Sequence, residues 1–233
     1  MGILPVLLGH RGARGDKSVA ENTVASFDLA LAQGCDGFEF DVRLTADGQA
    51  VVCHDAKTRT KNGGLEIAQS LARALGLPLL RDVLARYRAT AFLDIELKVA
   101  GLEKITADLL RELAPARGLV VSSFLPDVLQ RVHDLDTTLP LGLICESQDE
   151  LRRWPGLPIE YLILHRKLVR RSLILEIKAA GKKLLVWTVD VPADMKRFSK
   201  WGADGIISDY PGPLVLATKR LSHGSPQIST DKS

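Results

Sequence analysis

Residues 38–55, FEFDVRLTADGQAVVCHD, bring two carboxylates and a histidine into one short stretch. Phe38, Phe40 and Val42 alternate with Glu39 and Asp41, so a strand here buries apolar side chains on one face and carries both acids on the other. Alternate side chains of a strand stand about 6.7 Å apart, close enough for two carboxylates to converge on one cation. Left bare inside a protein they would repel each other, and one would take up a proton. Pairing with nearby arginines, such as Arg11 or Arg43, is the other way to balance them. Asp47-Gly48 between the alternating runs is a hairpin signal. With those two as the central turn residues, Ala46 faces Gln49 and Asp41 faces His54. Glu39, Asp41 and His54 then share one side of an antiparallel ribbon, and a slip of one residue would turn His54 away.

A second stretch, AFLDIELK (91–98), repeats the alternation, with Asp94, Glu96 and Lys98 opposite Leu93, Ile95 and Leu97. Glu96 is the candidate third ligand of a cation, and Lys98, one step further out, a contact for an anion. Oxygen-only ligands suit a hard divalent ion, Mg²⁺ or Ca²⁺, rather than zinc. The apolar run PVLLGH ends in His10-Arg11-Gly12. Arg11 offers a planar fork for a pair of phosphate or carboxylate oxygens, and Gly12 lets the backbone approach closely. Two histidines, His10 and His54, facing one metal suit acid–base work near neutral pH. Together these residues describe the cleavage of a phosphoester.

Such groups need a scaffold that brings strand ends together. Strand-like runs at 5–10, 37–44, 91–98, 119–124, 140–145, 161–165, 184–189 and 204–208 alternate with amphipathic segments. That is the pattern of a single (β/α)8 barrel, in which polar residues at the C-terminal ends of strands line the active site. A doubly wound open sheet is the rival, but GHRGARG lacks the dinucleotide-loop spacing. Residues 49–54 form an extra strand after the second barrel strand. Its connection is too short for a parallel crossover, so it runs antiparallel. The expected barrel domain is 1–221, followed by a polar tail, 222–233, read as disordered.

Thirty-one basic against 28 acidic residues, spread along the chain, lend no support to nucleic-acid binding. The apolar start of MGILPVLLGH is too short for a signal peptide, and no run reaches the roughly 20 residues of a membrane span. Cys35, Cys53 and Cys145 are odd in number and have no metal-ligand spacing, which reads as buried thiols in a reducing, cytoplasmic setting. The oligomeric state is not legible.

The ordered pieces HRG (10–12), ENT (21–23), EFDVRLTADGQAVVCHD (39–55), IELK (95–98), SSF (122–124), VWTV (186–189) and ADGIISDYP (203–211) span nearly the whole chain. In this the chain resembles the glycerophosphodiester phosphodiesterase family of (β/α)8 barrels. The resemblance implies His10 and His54 as the acid–base couple and Glu39, Asp41 and Glu96 as holders of one divalent cation. It further implies Arg11 and Lys98 as phosphate contacts and Trp187 as a wall of the substrate pocket. Glu21 and Asn22 fall in a family motif, with a supporting role or helix capping by Asn22 as readings equal to direct catalysis. The chain departs from the pattern at Asp190, where Asn is usual, in a short segment between His54 and Leu80, and in a loose TRT (58–60).

The implied reaction is metal-dependent hydrolysis of a small glycerophosphodiester to glycerol 3-phosphate and an alcohol, through a cyclic phosphate. A lysophospholipase D using the same site, and a barrel that binds phosphate ligands without turnover, are the alternatives. His133 and His223 read as surface residues, and His165 as a rim residue able to touch substrate.

Overall fold

Among the described residues nine strands form one sheet that curls until its first and second strands meet. In the computed structural model, residues 4–58 and 64–219 are described. The strands are β1 (Val6–His10), β2 (Gly37–Leu44), β3 (Ala50–Val52), β4 (Phe92–Leu97), β5 (Leu119–Ser123), β6 (Leu141–Cys145), β7 (Tyr161–His165), β8 (Lys183–Trp187) and β9 (Gly205–Ser208). Their order is β1-β9-β8-β7-β6-β5-β4-β2-β3, and a parallel β1–β2 pairing closes the ring. Eight parallel strands thus make the barrel, and β3 is the additional antiparallel strand on β2. Closure removes the exposed edges that an open doubly wound sheet would keep.

The helices are α1 (Val24–Ala32), α2 (Ala72–Leu75), α3 (Leu80–Tyr87), α4 (Glu103–Glu112), α5 (Pro126–Leu135), α6 (Gln148–Leu151), α7 (Arg171–Ala179), α8 (Pro192–Trp201) and α9 (Pro211–Lys219). The last was not legible as a helix, because Pro211-Gly212-Pro213 reads as a loop. Proline in a first turn loses no hydrogen bond, so the helix starts there nonetheless. Among its described residues, the segment from 55 to 80 holds α2 and one short 3₁₀ turn, Ile67–Gln69. The tail 222–233, His223 and the end of TRT lie outside the described residues.

The alternation in β2 works as its sequence implies. Phe38 and Phe40 turn out of the ring onto α1 and α3, where Phe27 stacks on Phe38 at 4.2 Å between centroids and Tyr87 meets Phe38 edge-on at 4.9 Å. Each such pair adds about 0.5–1.5 kcal/mol beyond burial. That packing forces Glu39 and Asp41 to the barrel interior, where both are buried. The same logic sends Asp94 and Glu96 inward from β4, in register with Glu39 and Asp41.

The hairpin register differs by one residue from that read in the sequence. β2 and β3 pair Val42 with Val52, Arg43 with Val51 and Leu44 with Ala50, so Asp41 faces Cys53. The loop holds three residues rather than two: Thr45 and Gln49 close it, and Gly48 takes the left-handed conformation at φ 72°. This is the three-residue hairpin loop that ends on a residue of positive φ. Asp47 Oδ1 accepts from the Thr45 hydroxyl at 2.6 Å and holds the turn. By register alone His54 would point away. The strand ends at Val52, however, and a bend at His54 brings its ring back to the barrel mouth.

Candidate active site

β1 pairs with β2 only as far as Glu39, and beyond that point β2 pairs with β3. The antiparallel β3 therefore runs back toward the end of β1, bringing His54 to the pocket that His10 lines. The pocket, of about 300 Å³, lies at the C-terminal end of the strands. Glu39, Glu96, Lys98 and Arg11 form one wall, and Phe124, Ile144, Ile163 and Trp187 another. All the site residues read from the sequence except Asp41 line it, and Asp41 is buried directly beneath.

One oxygen each from Glu39, Asp41 and Glu96 lies within 4.8 Å of the others. Burial, and next the Asp41 carboxylate, push Glu39 well above the usual carboxylate range. The same two causes push Glu96 up to about 7. Burial acts on Asp41 too, but the charges of Lys98 and Arg11 and the Asn22 amide outweigh it and hold that carboxyl below its usual range. The arginine pairing anticipated for the acids is thus partly realised: Arg11 Nε lies 3.2 Å from Asp41 Oδ2, and its backbone N–H donates to Glu39 Oε2 at 2.9 Å. Arg43 instead donates to the His54 carbonyl at 2.7 Å, which fixes the bend. Lys98 Nζ stands 2.6 Å from Glu96 Oε1 and 3.4 Å from Asp41 Oδ1. Those two oxygens, both buried, have no hydrogen bond of good geometry. Converging carboxylates with buried, unsatisfied oxygens and elevated proton affinity fit a hard divalent ion.

The turn after β1 sets Arg11 and Asn22. Arg11 has φ 51° and Gly12 φ 82°, and a Cβ on residue 12 would collide with the Ser26 hydroxyl. Asn22 is also left-handed, at φ 57°. Its amide donates to Asp41 Oδ2 at 2.8 Å, and its Oδ1 accepts from the Asp41 N–H at 3.3 Å. The cap of α1 is Thr23, whose hydroxyl accepts from the Ser26 N–H at 3.2 Å, so Asn22 supports the carboxylate and not the helix. Glu21 accepts from Arg11 Nη1 at 2.9 Å and from Arg14 Nε at 2.8 Å.

Each histidine is backed by an aspartate. His10 Nδ1 lies 2.6 Å from Asp209 Oδ1 and His54 Nδ1 lies 2.8 Å from Asp55 Oδ1. His10 Nε2 faces Glu39 Oε2 at 3.8 Å. Burial lowers the His54 pKa, opposed by its bond to Asp55. Trp187 donates through Nε1 to the Ile163 carbonyl at 3.2 Å and meets the Phe124 ring edge-on at 5.9 Å. His165, at the end of β7, packs on Trp187 at 5.5 Å.

Several residues at the site were given no role there by the sequence. Asp94, pushed up to about 7 by burial, shares the inward face with Glu96 and was legible from the alternation. Asp209 follows the last strand, where barrel active-site residues sit. Asp190, the departure from the family pattern, accepts from the Ser208 hydroxyl at 3.1 Å and the Asp209 N–H at 2.9 Å. Glu146, the first residue after β6, carries the same strand-end signal as Asp209, whereas Arg14 carries none.

A closed (β/α)8 barrel with histidines around an inward carboxylate cluster defines a hydrolase site suited to a metal ion. The chain matches the Glycerophosphoryl diester phosphodiesterase family over residues 10–69 and 92–213. It is 32% identical over 242 residues to the glycerophosphodiester phosphodiesterase of Caldanaerobacter subterraneus subsp. tengcongensis, covering 92% of this chain and 98% of that one. An Oleispira antarctica phosphodiesterase, solved in complex with the product sn-glycerol-3-phosphate, superposes with a TM-score of 0.81 at 28% identity, covering 93% and 97% of the two chains. Lysophospholipase D GDPD1 of Mus musculus is 23% identical, over 89% of this chain and 84% of its own. The chain belongs to the glycerophosphoryl diester phosphodiesterase family and is an enzyme of that class. Among the described residues no helix is long and apolar enough to cross a membrane.

Proposed function

We propose that the chain hydrolyses a small glycerophosphodiester to glycerol 3-phosphate and an alcohol, using one divalent cation, Mg²⁺ or Ca²⁺, held by Glu39, Asp41 and Glu96. Such an ion, when bound, supplies charge neutralisation and Lewis-acid polarisation of a phosphoryl oxygen. The observation that carries this reading is the meeting of three carboxylates, two histidines, Arg11 and Lys98 around one pocket. The Arg11 guanidinium, held at Nε beside Asp41, and the Lys98 ammonium line the pocket and offer two positive charges to a phosphate.

The Asp209 carboxylate accepts at His10 Nδ1, which leaves Nε2 as the basic nitrogen facing the site. His10 then takes the proton of the substrate hydroxyl next to the phosphoester as that oxygen bonds to phosphorus. His54 lies on the border of the pocket and a neighbouring groove lined by Arg14, Lys17 and Lys57. There it protonates the alcohol oxygen as its bond to phosphorus breaks. A bound phosphodiester anion favours the imidazolium, which offsets the effect of burial. Water opens the cyclic phosphate with the two roles exchanged. Trp187 and Phe124 provide the apolar wall for the glycerol carbons.

A panel of glycerophosphodiesters assayed under metal titration tests the proposal. Turnover abolished by a chelator and restored by Mg²⁺ or Ca²⁺ is the expected result; turnover indifferent to chelation overturns the cation's role, and none on any substrate overturns the reaction. The likeness to a mouse lysophospholipase D favours one second reading, lysophospholipid cleavage at the same site. Glycerophosphocholine assayed beside lysophosphatidylcholine separates the two. Binding of glycerophosphodiesters without turnover would point to a non-catalytic barrel. A cytoplasmic location, in keeping with the buried Cys145 thiol, is part of the proposal and is tested by fractionating cells that express the chain.

A further inference from the structure

β6 lies four strands around the ring from β1, so Glu146, the first residue after β6, stands across the barrel mouth from His10. Its side chain lines the catalytic pocket together with Ile144, Ile163 and Trp187. Its backbone N–H donates to Glu150 Oε2 at 2.8 Å, in the capping box of α6, so its main chain is fixed. Among the described residues its carboxylate accepts no hydrogen bond and forms no ion pair. The pocket therefore has cations at one wall and an uncommitted anion at the other.

An ionised carboxylate only accepts hydrogen bonds, so its partner must bring a donor or a positive charge. The phosphate belongs beside Arg11 and Lys98, away from Glu146. A few bonds from that phosphate, the glycerol half of the substrate ends in a free hydroxyl. We propose that Glu146 accepts a hydrogen bond from this terminal hydroxyl and so selects glycerophosphodiesters over lysophospholipids, whose corresponding oxygen is acylated and has no hydrogen. The inference rests on the phosphodiesterase reading and names the feature of the substrate that the site reads. Glu146 is exposed at the rim, so its preference comes from the charge-assisted hydrogen bond gained with the hydroxyl, which an acylated oxygen cannot donate.

The test uses glycerophosphocholine and its deoxy analogue, propane-1,2-diol phosphocholine, which keeps the neighbouring nucleophile and lacks only the terminal hydroxyl. Glu146→Ala should lower kcat/KM on glycerophosphocholine by about 10- to 100-fold, the range for hydrogen bonds to charged groups. On the deoxy analogue it should have no effect or raise kcat/KM, and Glu146→Gln should recover part of the loss. The variant's rate on lysophosphatidylcholine relative to glycerophosphocholine should rise. Equal losses on both choline substrates, or none on either, overturn the proposal. A loss on glycerophosphocholine that vanishes with glycerophosphoglycerol, whose head group is uncharged, overturns it in favour of ammonium recognition. Wild-type protein that turns over none of these diesters would instead refute the phosphodiesterase reading, which keeps the two failures distinct.

Discussion

His10 Nδ1 and Asp209 Oδ1 lie 2.6 Å apart, although 199 residues separate them in the chain. The other oxygen of Asp209 accepts from Arg14 Nη1 at 2.7 Å, and its backbone N–H is tied to Asp190. Burial raises the Asp209 pKa, but the bond to His10 and the Arg14 charge outweigh it and keep the group ionised. An ionised carboxylate cannot donate, so the imidazole hydrogen sits on Nδ1 and the Nε2 lone pair faces the site.

Asp209→Asn should therefore lower kcat by about 10²-fold or more with little change in KM, because an amide can turn its donor toward Nδ1 and select the wrong tautomer. Nitrogen-15 NMR of the His10 ring reads the tautomer directly. An unchanged tautomer with unchanged kcat would remove Asp209 from the mechanism.

His10→Ala and His54→Ala should each cost roughly 10²–10⁴-fold in kcat, the usual value of positioned proton transfer. Circular dichroism should show an intact barrel in both. Activity above about one per cent in either variant would mean that another group carries that proton.

Asn22→Ala should weaken binding of Ca²⁺ or Mg²⁺ by about 10–100-fold, because the amide that orients Asp41 is gone. Asn22→Gly separates the amide from the backbone, since glycine accepts φ 57° without strain. Calorimetric titration giving wild-type affinity for the glycine variant would reduce Asn22 to a backbone role.

The cluster also makes a stability prediction. Asp94 and Glu96 titrate at about 7 in the folded chain, with burial as the first cause, and Glu39 is raised as well. Unfolded, these groups titrate near 4, roughly. A raised folded pKa contributes stability that is full below the unfolded value and lost as pH rises through the folded one. Chelator-treated protein should thus lose several degrees of Tm as pH rises from about 4.5 to about 7, with little further loss from Asp94 and Glu96 above that. Saturating Ca²⁺ should remove most of that loss, since the ion replaces the protons. Scanning calorimetry with chelator and with Ca²⁺ decides it: a flat Tm in chelator would show that the acids hold no extra protons.

The sequence alone determined most of the barrel and most of the site, because both follow from alternation. Phe38, Phe40 and Val42 against Glu39 and Asp41, and Leu93, Ile95 and Leu97 against Asp94 and Glu96, settle which side chains face inward once the strands exist. What local pattern cannot contain was decided in three dimensions. The hairpin register hung on whether two or three residues made the turn, a choice set by Thr45, Asp47 and Gly48 acting together. His54 regained the site only because the strand stopped at Val52 and Arg43 caught its carbonyl. Asp209, Arg14 and Glu146 reached the mouth through ring closure, which juxtaposes strand ends far apart in the chain. Periodicity tells a residue which face it occupies, whereas its partner across the mouth depends on the completed circuit of strands.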